Sequence, residues 1–115
     1  MKLTQKHFNE FKTECLRLQK EWGLTDWELY FNFIKLDGSI AICNKNLFSR
    51  NATLTLNNEM DDSDKRHLNV KNSAKHEMIH VLLSPLDTLA YSRFVTQDEL
   101  NSGEHSVVMR LMKLI

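Results

Sequence analysis

The stretch Ser73-Ala74-Lys75-His76-Glu77-Met78-Ile79-His80-Val81-Leu82-Leu83 determines how the rest of the chain can be arranged. Wound as a helix, it places apolar residues around nearly its whole circumference: Ala74, Met78, Ile79, Val81, Leu82 and Leu83. A helix that is apolar nearly all round is buried, so the stretch predicts a buried helix. This helix is expected to begin near Ser63 and to run to about Leu83. Pro85 cannot continue a helix and disfavours helical geometry at Ser84.

The residues before this helix predict one further helix and three strands. Apolar residues recur three to four positions apart between Phe8 and Trp22, which is typical of an amphipathic helix that ends at Gly23. The stretch 26–36 is rich in aromatic and branched residues and predicts a strand, and the Asp37-Gly38 pair after it is a hairpin-turn signal. Two more short strands are predicted, at 39–44 and 51–57.

The residues after it predict a last helix. Thr96 with Glu99 three positions later is a capping-box pattern, and the helix that it opens is expected to reach Ile115. The chain is therefore predicted to have an α+β fold, with an N-terminal helix, a small three-stranded sheet, the buried helix and a C-terminal helix. Its 115 residues fit a single domain spanning 1–115.

Composition and charge exclude several classes of protein. Fifteen Lys and Arg balance fifteen Asp and Glu, so the chain lacks the basic excess that a nucleic-acid partner requires. Its apolar stretches are too short to cross a membrane, and its N-terminus does not resemble a secretion signal. We therefore expect a cytoplasmic protein whose two cysteines, Cys15 and Cys43, are buried thiols.

The sequence His76-Glu77-Met78-Ile79-His80 is an H-E-x-x-H motif. Residues four apart on a helix lie on the same face, so the two imidazoles can converge on one metal ion. Glu77 lies about 100° round the helix from His76 and can act beside the ion as a general base. We predict that His76 and His80 bind Zn²⁺, the competing interpretation being a hydrogen-bonded pair of core histidines.

A catalytic zinc needs a third protein ligand. Glu104 is the preferred candidate because Val108, Leu111 and Ile115 follow it at helical spacing, which predicts that Glu104 faces inward. A buried carboxylate would require a charged partner there. His105, one position further round the helix, remains the alternative.

These residues resemble a known family. The H-E-x-x-H motif with Glu104 from a later helix resembles the gluzincin metallopeptidases, specifically the small minigluzincins. The segments 76–86 and 103–108, with Leu111, are similar to short metallopeptidases encoded by bacteriophages and prophages. The resemblance implies zinc held by His76, His80 and Glu104, with Glu77 as general base, and a location in the cytoplasm of the host cell.

The predicted function is therefore zinc-dependent hydrolysis of a peptide or protein substrate. The strand 51–57 is a candidate edge strand that could hold an extended peptide, although an ordinary strand explains it equally well. The alternative is a catalytically silent, zinc-stabilised binding protein or phage accessory protein that retains the fold.

Overall fold

A computed structural model describes residues 1–60, 68–92 and 94–112 of the chain. Within these ranges it is an α+β fold of four helices and a three-stranded sheet, which confirms the predicted class. The elements are α1 Gln5–Glu21, β1 Glu28–Ile34, β2 Ala41–Asn46, β3 Asn51–Asn57, α2 Val70–Leu82, α3 Ser84–Ala90 and α4 Gln97–Leu111. None of the helices in the described part of the chain combines the length and apolarity needed to span a bilayer.

The sheet has the strand order β1-β3-β2. The central strand β3 is parallel to β1, with Leu54 opposite Phe31, and antiparallel to β2, with Leu54 opposite Cys43. The prediction that 51–57 is an edge strand is therefore wrong, and β2 is an edge strand instead. β3 has no charged residue and is buried on both faces from Leu54 to Asn57, which suits a strand with a neighbour on each side.

The predicted hairpin at Asp37-Gly38 is also wrong, because β1 and β2 are not neighbours. Gly38 does make a turn, with φ of +77°. Asn57, at the end of β3, holds this turn in place. Its Oδ1 accepts the Leu36 N–H at 3.0 Å, and its Nδ2 donates to the carbonyls of Leu36 and Ser39 at 3.0 and 2.8 Å. The connection is thereby fixed across the end of β3, and β1 and β2 lie on opposite sides of that strand.

One cluster of buried residues joins the first two helices to the sheet. Its fully buried members include Phe11 and Cys15 of α1, Ala52, Leu54 and Leu56 of β3, and Ala74, Met78 and Val81 of α2. Full burial of a large apolar side chain stabilises a fold by about 1.5–3 kcal/mol, so the face of α2 that carries Met78 fixes this helix on the sheet.

The boundaries of α2 and α3 follow from their capping residues. Asn69 Oδ1 accepts the Asn72 N–H at 3.0 Å and begins α2, while the predicted start near Ser63 lies outside the described residues. α2 ends at Leu82, close to the predicted position. The expectation that Ser84 is not helical is wrong, because Ser84 begins α3. Pro85 lies in the first turn of α3, where the missing N–H has no helical partner to lose.

The last helix begins with the predicted capping box. Thr96 Oγ1 accepts the Glu99 N–H at 3.1 Å, and Glu99 Oε1 accepts the Thr96 N–H at 3.3 Å. The helix extends to Leu111, and its predicted end at Ile115 lies outside the described residues. Its buried residues are Gly103 and Val107, so this side of α4 packs against the rest of the protein.

Candidate metal centre

One turn of α2 brings three potential metal ligands together. The donor atoms of His76, Glu77 and His80 lie within 4.8 Å of one another. The two imidazoles meet edge to face, with ring centroids 5.1 Å apart and ring planes at 70°. His76 Nε2 is 3.9 Å from Glu77 Oε1. The four-residue spacing therefore produces the predicted convergence, and the three side chains form a group that could hold a metal ion.

The two imidazoles face solvent, whereas the carboxylate beside them is buried. The side chain of His76 is 71% exposed and His80 is also exposed, but the side chain of Glu77 is only 8% exposed. The prediction of a helix buried all round is wrong, since Ile79 and Leu83 are each 38% exposed. α2 lies over the edge strand β2, so the sheet covers one side of it. A buried pair of core histidines is excluded by the exposure of both rings.

A groove between β2 and α2 contains this group. One part of it, about 320 Å³ in volume, is lined by Ala41, Ile42, Cys43 and Lys45 of β2 and by the three α2 side chains. A second part of about 470 Å³ shares Ala41, His76 and Glu77 and extends toward Gly38 and the first turn of α2. The candidate metal group is therefore accessible from a groove that runs beside a sheet edge.

Lys45 brings a positive charge into the groove. Its side chain is 16% exposed, and its Nζ lies 2.7 Å from Asp87 Oδ2. Burial lowers the pKa of His80, and the nearby charges of Lys45 and His76 act in the same direction, against the opposing effect of Asp87. His80 is therefore neutral at neutral pH, which is the form of imidazole that binds metals.

Burial has the opposite effect on Glu77. The pKa of its carboxyl is raised because burial disfavours the charged form, while His76 opposes this shift. A buried carboxylate with a raised pKa, located beside two histidines that could hold a metal, has the properties of a general base.

The structure does not bring Glu104 to this group. Glu104 is exposed on α4, as is the alternative ligand His105, and neither belongs to the group of converging donor atoms. The prediction that Glu104 faces inward is wrong, because Val108 and Leu111, which define its face, are 44% and 41% exposed. The inward face of α4 is centred on Gly103 instead. Zinc binding by Glu104 stays a prediction from sequence.

Cys43, which the sequence predicts only as a buried thiol, also lines the groove. It is half-buried and makes no disulfide. Burial raises the pKa of its thiol to about 11, and the charge of Glu77 acts in the same direction while Lys45 opposes it. The available sequence signal is strand alternation, which places Ala41, Cys43 and Lys45 on one face of β2.

Comparisons of this chain with protein-family models, with curated proteins and with solved structures yield no match.

Proposed function

We propose that this protein is a zinc-dependent peptide hydrolase with a zincin-like site. The observation that supports this proposal most strongly is the convergence of His76, Glu77 and His80 within 4.8 Å at the wall of an open groove. The H-E-x-x-H spacing, the accessible imidazoles and the buried acid are among the elements that hydrolysis by this class of site requires. The cytoplasmic location and the relationship to phage metallopeptidases belong to the same proposal.

The donor set suits zinc. Zn²⁺ binds neutral imidazole nitrogen readily, and His76 and His80 present two such nitrogens from one rigid helical turn. Because both rings are exposed, their side chains can rotate toward a shared ion without disturbing the core. When bound, zinc would polarise the substrate carbonyl and make water a better nucleophile at neutral pH.

Glu77 carries the proton transfers in this mechanism. Its carboxylate accepts a proton from the attacking water and then donates it to the leaving amide nitrogen, so the proton that it gains in the first step is lost in the second. The raised pKa of Glu77 makes both directions accessible, since a carboxyl group with an ordinary pKa would return the proton less readily.

The edge strand β2 offers a place for an extended substrate. β2 has β3 as its hydrogen-bonded neighbour on one side, and the groove follows the residues Ala41–Lys45. A peptide in extended conformation can pair with the backbone of such an edge, which would hold its scissile bond beside α2. The substrate-binding strand in this proposal is thus β2 and not the 51–57 segment expected from sequence.

A second candidate is a zinc-stabilised binding protein without catalytic activity. It is favoured by the position of Glu77, whose Oε1 is 3.9 Å from His76 Nε2 and close enough for the carboxylate to become a metal ligand. With Glu77 bound to the metal, the site would have no free base. The ion would then hold α2 in a fixed conformation for a partner.

Replacement of the base separates these two functions. Zinc-loaded protein and its Glu77→Gln variant are compared for cleavage of a mixed fluorogenic peptide library, with zinc content measured in both. Glu10→Gln, an exposed change on α1, is the matched control. Hydrolysis predicts cleavage by the wild type and the control and its loss in Glu77→Gln at unchanged zinc content. Cleavage by Glu77→Gln at the wild-type rate would contradict the proposed base.

A further inference from the structure

The converging group is incomplete as a catalytic metal site. A catalytic zinc is held by three protein ligands and keeps a fourth position open. His76 and His80 supply two ligands, and Glu77 is required as the free base. A third ligand must therefore come from another element, and Glu104 is exposed on α4 and outside the group.

Cys43 is a metal-ligating side chain on the strand that faces this group. It belongs to the edge strand β2 and lines the same 320 Å³ part of the groove as His76, Glu77 and His80. Two ligands from α2 and one from the facing strand would reach a shared ion from two different elements, which would suit zinc. Three donors from a single helical turn would all approach from the same side.

Among the β2 side chains that line this part of the groove, Cys43 is the most suitable donor by chemistry. Thiolate sulfur and imidazole nitrogen are the preferred ligands of zinc. The remaining β2 side chains in this part of the groove are two apolar residues and Lys45, which is paired with Asp87 at 2.7 Å. The sulfur of Cys43 lies outside the 4.8 Å group, so the exposed imidazoles must rotate inward for all three ligands to meet.

We propose that Cys43 Sγ completes the metal site with His76 and His80, leaving Glu77 free as the base. This inference rests on the proposed function, in which the two histidines bind a metal and Glu77 stays free as the base. The thiol of Cys43 releases its proton to solvent as the sulfur–metal bond forms, and no change of oxidation state is involved. The site is thus a two-histidine, one-cysteine centre that joins α2 to the sheet.

Cobalt substitution tests this inference without any substrate. Co²⁺ bound to imidazole gives visible d–d bands, and a cobalt–thiolate bond adds a charge-transfer band in the near ultraviolet. Spectra are recorded for cobalt-loaded wild type, Cys43→Ser, Cys43→Ala and Cys15→Ala. Cys15 is the matched control because it is a core cysteine of α1 and the other cysteine of the chain. Circular dichroism tests whether each variant is folded.

We expect both kinds of band in the wild type and in Cys15→Ala, and loss of the charge-transfer band in both Cys43 variants. Zinc affinity should fall in these variants by more than the roughly 10–100-fold that loss of a supporting residue costs. If the Cys43 variants do not fold, retention of the band in Cys15→Ala still assigns it to Cys43. Visible bands without the charge-transfer band in the wild type would overturn the role of Cys43 alone. Absence of both kinds of band would overturn the histidine site as well.

Discussion

Gly103 of α4 lies so close to Leu89 of α3 that a Cβ atom on Gly103 would be 2.6 Å from Leu89 Cδ1 and 3.2 Å from the carbonyl oxygen of Pro85. The absence of a side chain at Gly103 allows the two helices to approach each other. This contact fixes the rotation of α4 about its axis and turns the next residue, Glu104, toward solvent.

A larger residue at Gly103 should therefore destabilise the protein. Gly103→Leu is expected to lower the free energy of unfolding by about 1–3 kcal/mol, because the added atoms overpack the contact between α3 and α4. Glu104→Leu is the matched control on the neighbouring, exposed position and should have little effect. Urea denaturation measures both, and an equal loss at the two positions would contradict the observed rotation of α4.

The exposure of Glu104 also leads to a prediction about metal binding. Glu104→Ala should bind zinc with the wild-type affinity, whereas His80→Ala should lose high-affinity binding because a direct ligand is removed. Competition with a chromophoric chelator gives both affinities. A fall of about tenfold or more in Glu104→Ala would instead support the ligand set implied by the gluzincin resemblance.

The charge of Lys45 should control the protonation of His80. Lys45 and burial both lower the pKa of His80, so the imidazole stays neutral to a lower pH than an ordinary histidine. Lys45→Met should raise the pKa of His80 by removing the cation and leaving Asp87 unpaired. In the double variant Lys45→Met, Asp87→Asn, the pKa of His80 should rise less, because the Asp87 charge that raises it is removed as well. NMR titration of the metal-free proteins measures the pKa, and an unchanged or lower value in Lys45→Met would contradict this assignment.

The lowered pKa of His80 should also make the stability of the metal-free protein depend on pH. Because the pKa of His80 is lower in the folded than in the unfolded protein, its contribution to the free energy of unfolding is fully present above the usual histidine pKa of about 6.5. This contribution decreases as the pH falls from there through the folded pKa. The decrease should be absent in His80→Gln, as measured by urea denaturation across this range. An identical pH profile in the two proteins would contradict the prediction.

Zinc should stabilise the folded protein through mass action. If zinc binds only the folded state, a free concentration of about 100 times its Kd raises the free energy of unfolding by about 2.7 kcal/mol. Calorimetry with buffered zinc and with a chelator measures this difference in wild type and in His76→Ala. Equal stabilisation of both proteins would show that zinc acts at some other site.

The sequence predicts well those features that depend on local pattern. The helix α1, the capping box at Thr96, the end of α2 and the convergence of His76 with His80 each depend on residues within a few positions of one another. The sheet order does not, because β1 pairs directly with β3, although β2 lies between them in the sequence. Asn57 holds the turn between β1 and β2 that this order requires. Sequence periodicity contains no information on such non-local contacts.

In the candidate site, too, the features that depend on neighbouring residues are predicted from the sequence, and those that depend on non-local contacts are not. The rotation of α4 depends on the contact of Gly103, whereas the apolar residues Val108 and Leu111, which predict the opposite rotation, are exposed. Cys43 is separated from the motif by more than thirty positions, and only the pairing of β2 with β3 brings it to the groove. A local motif can therefore identify the two proposed histidine ligands, while the proposed third ligand depends on the tertiary structure.

The most direct test of the metal site is X-ray absorption spectroscopy of the zinc-loaded protein. We predict equimolar zinc with two imidazole nitrogens at about 2.0–2.1 Å, and loss of this signal in a His76→Ala, His80→Ala double variant. A zinc ion surrounded only by oxygen ligands, or a spectrum unchanged in the double variant, would contradict the assignment of His76 and His80 as metal ligands.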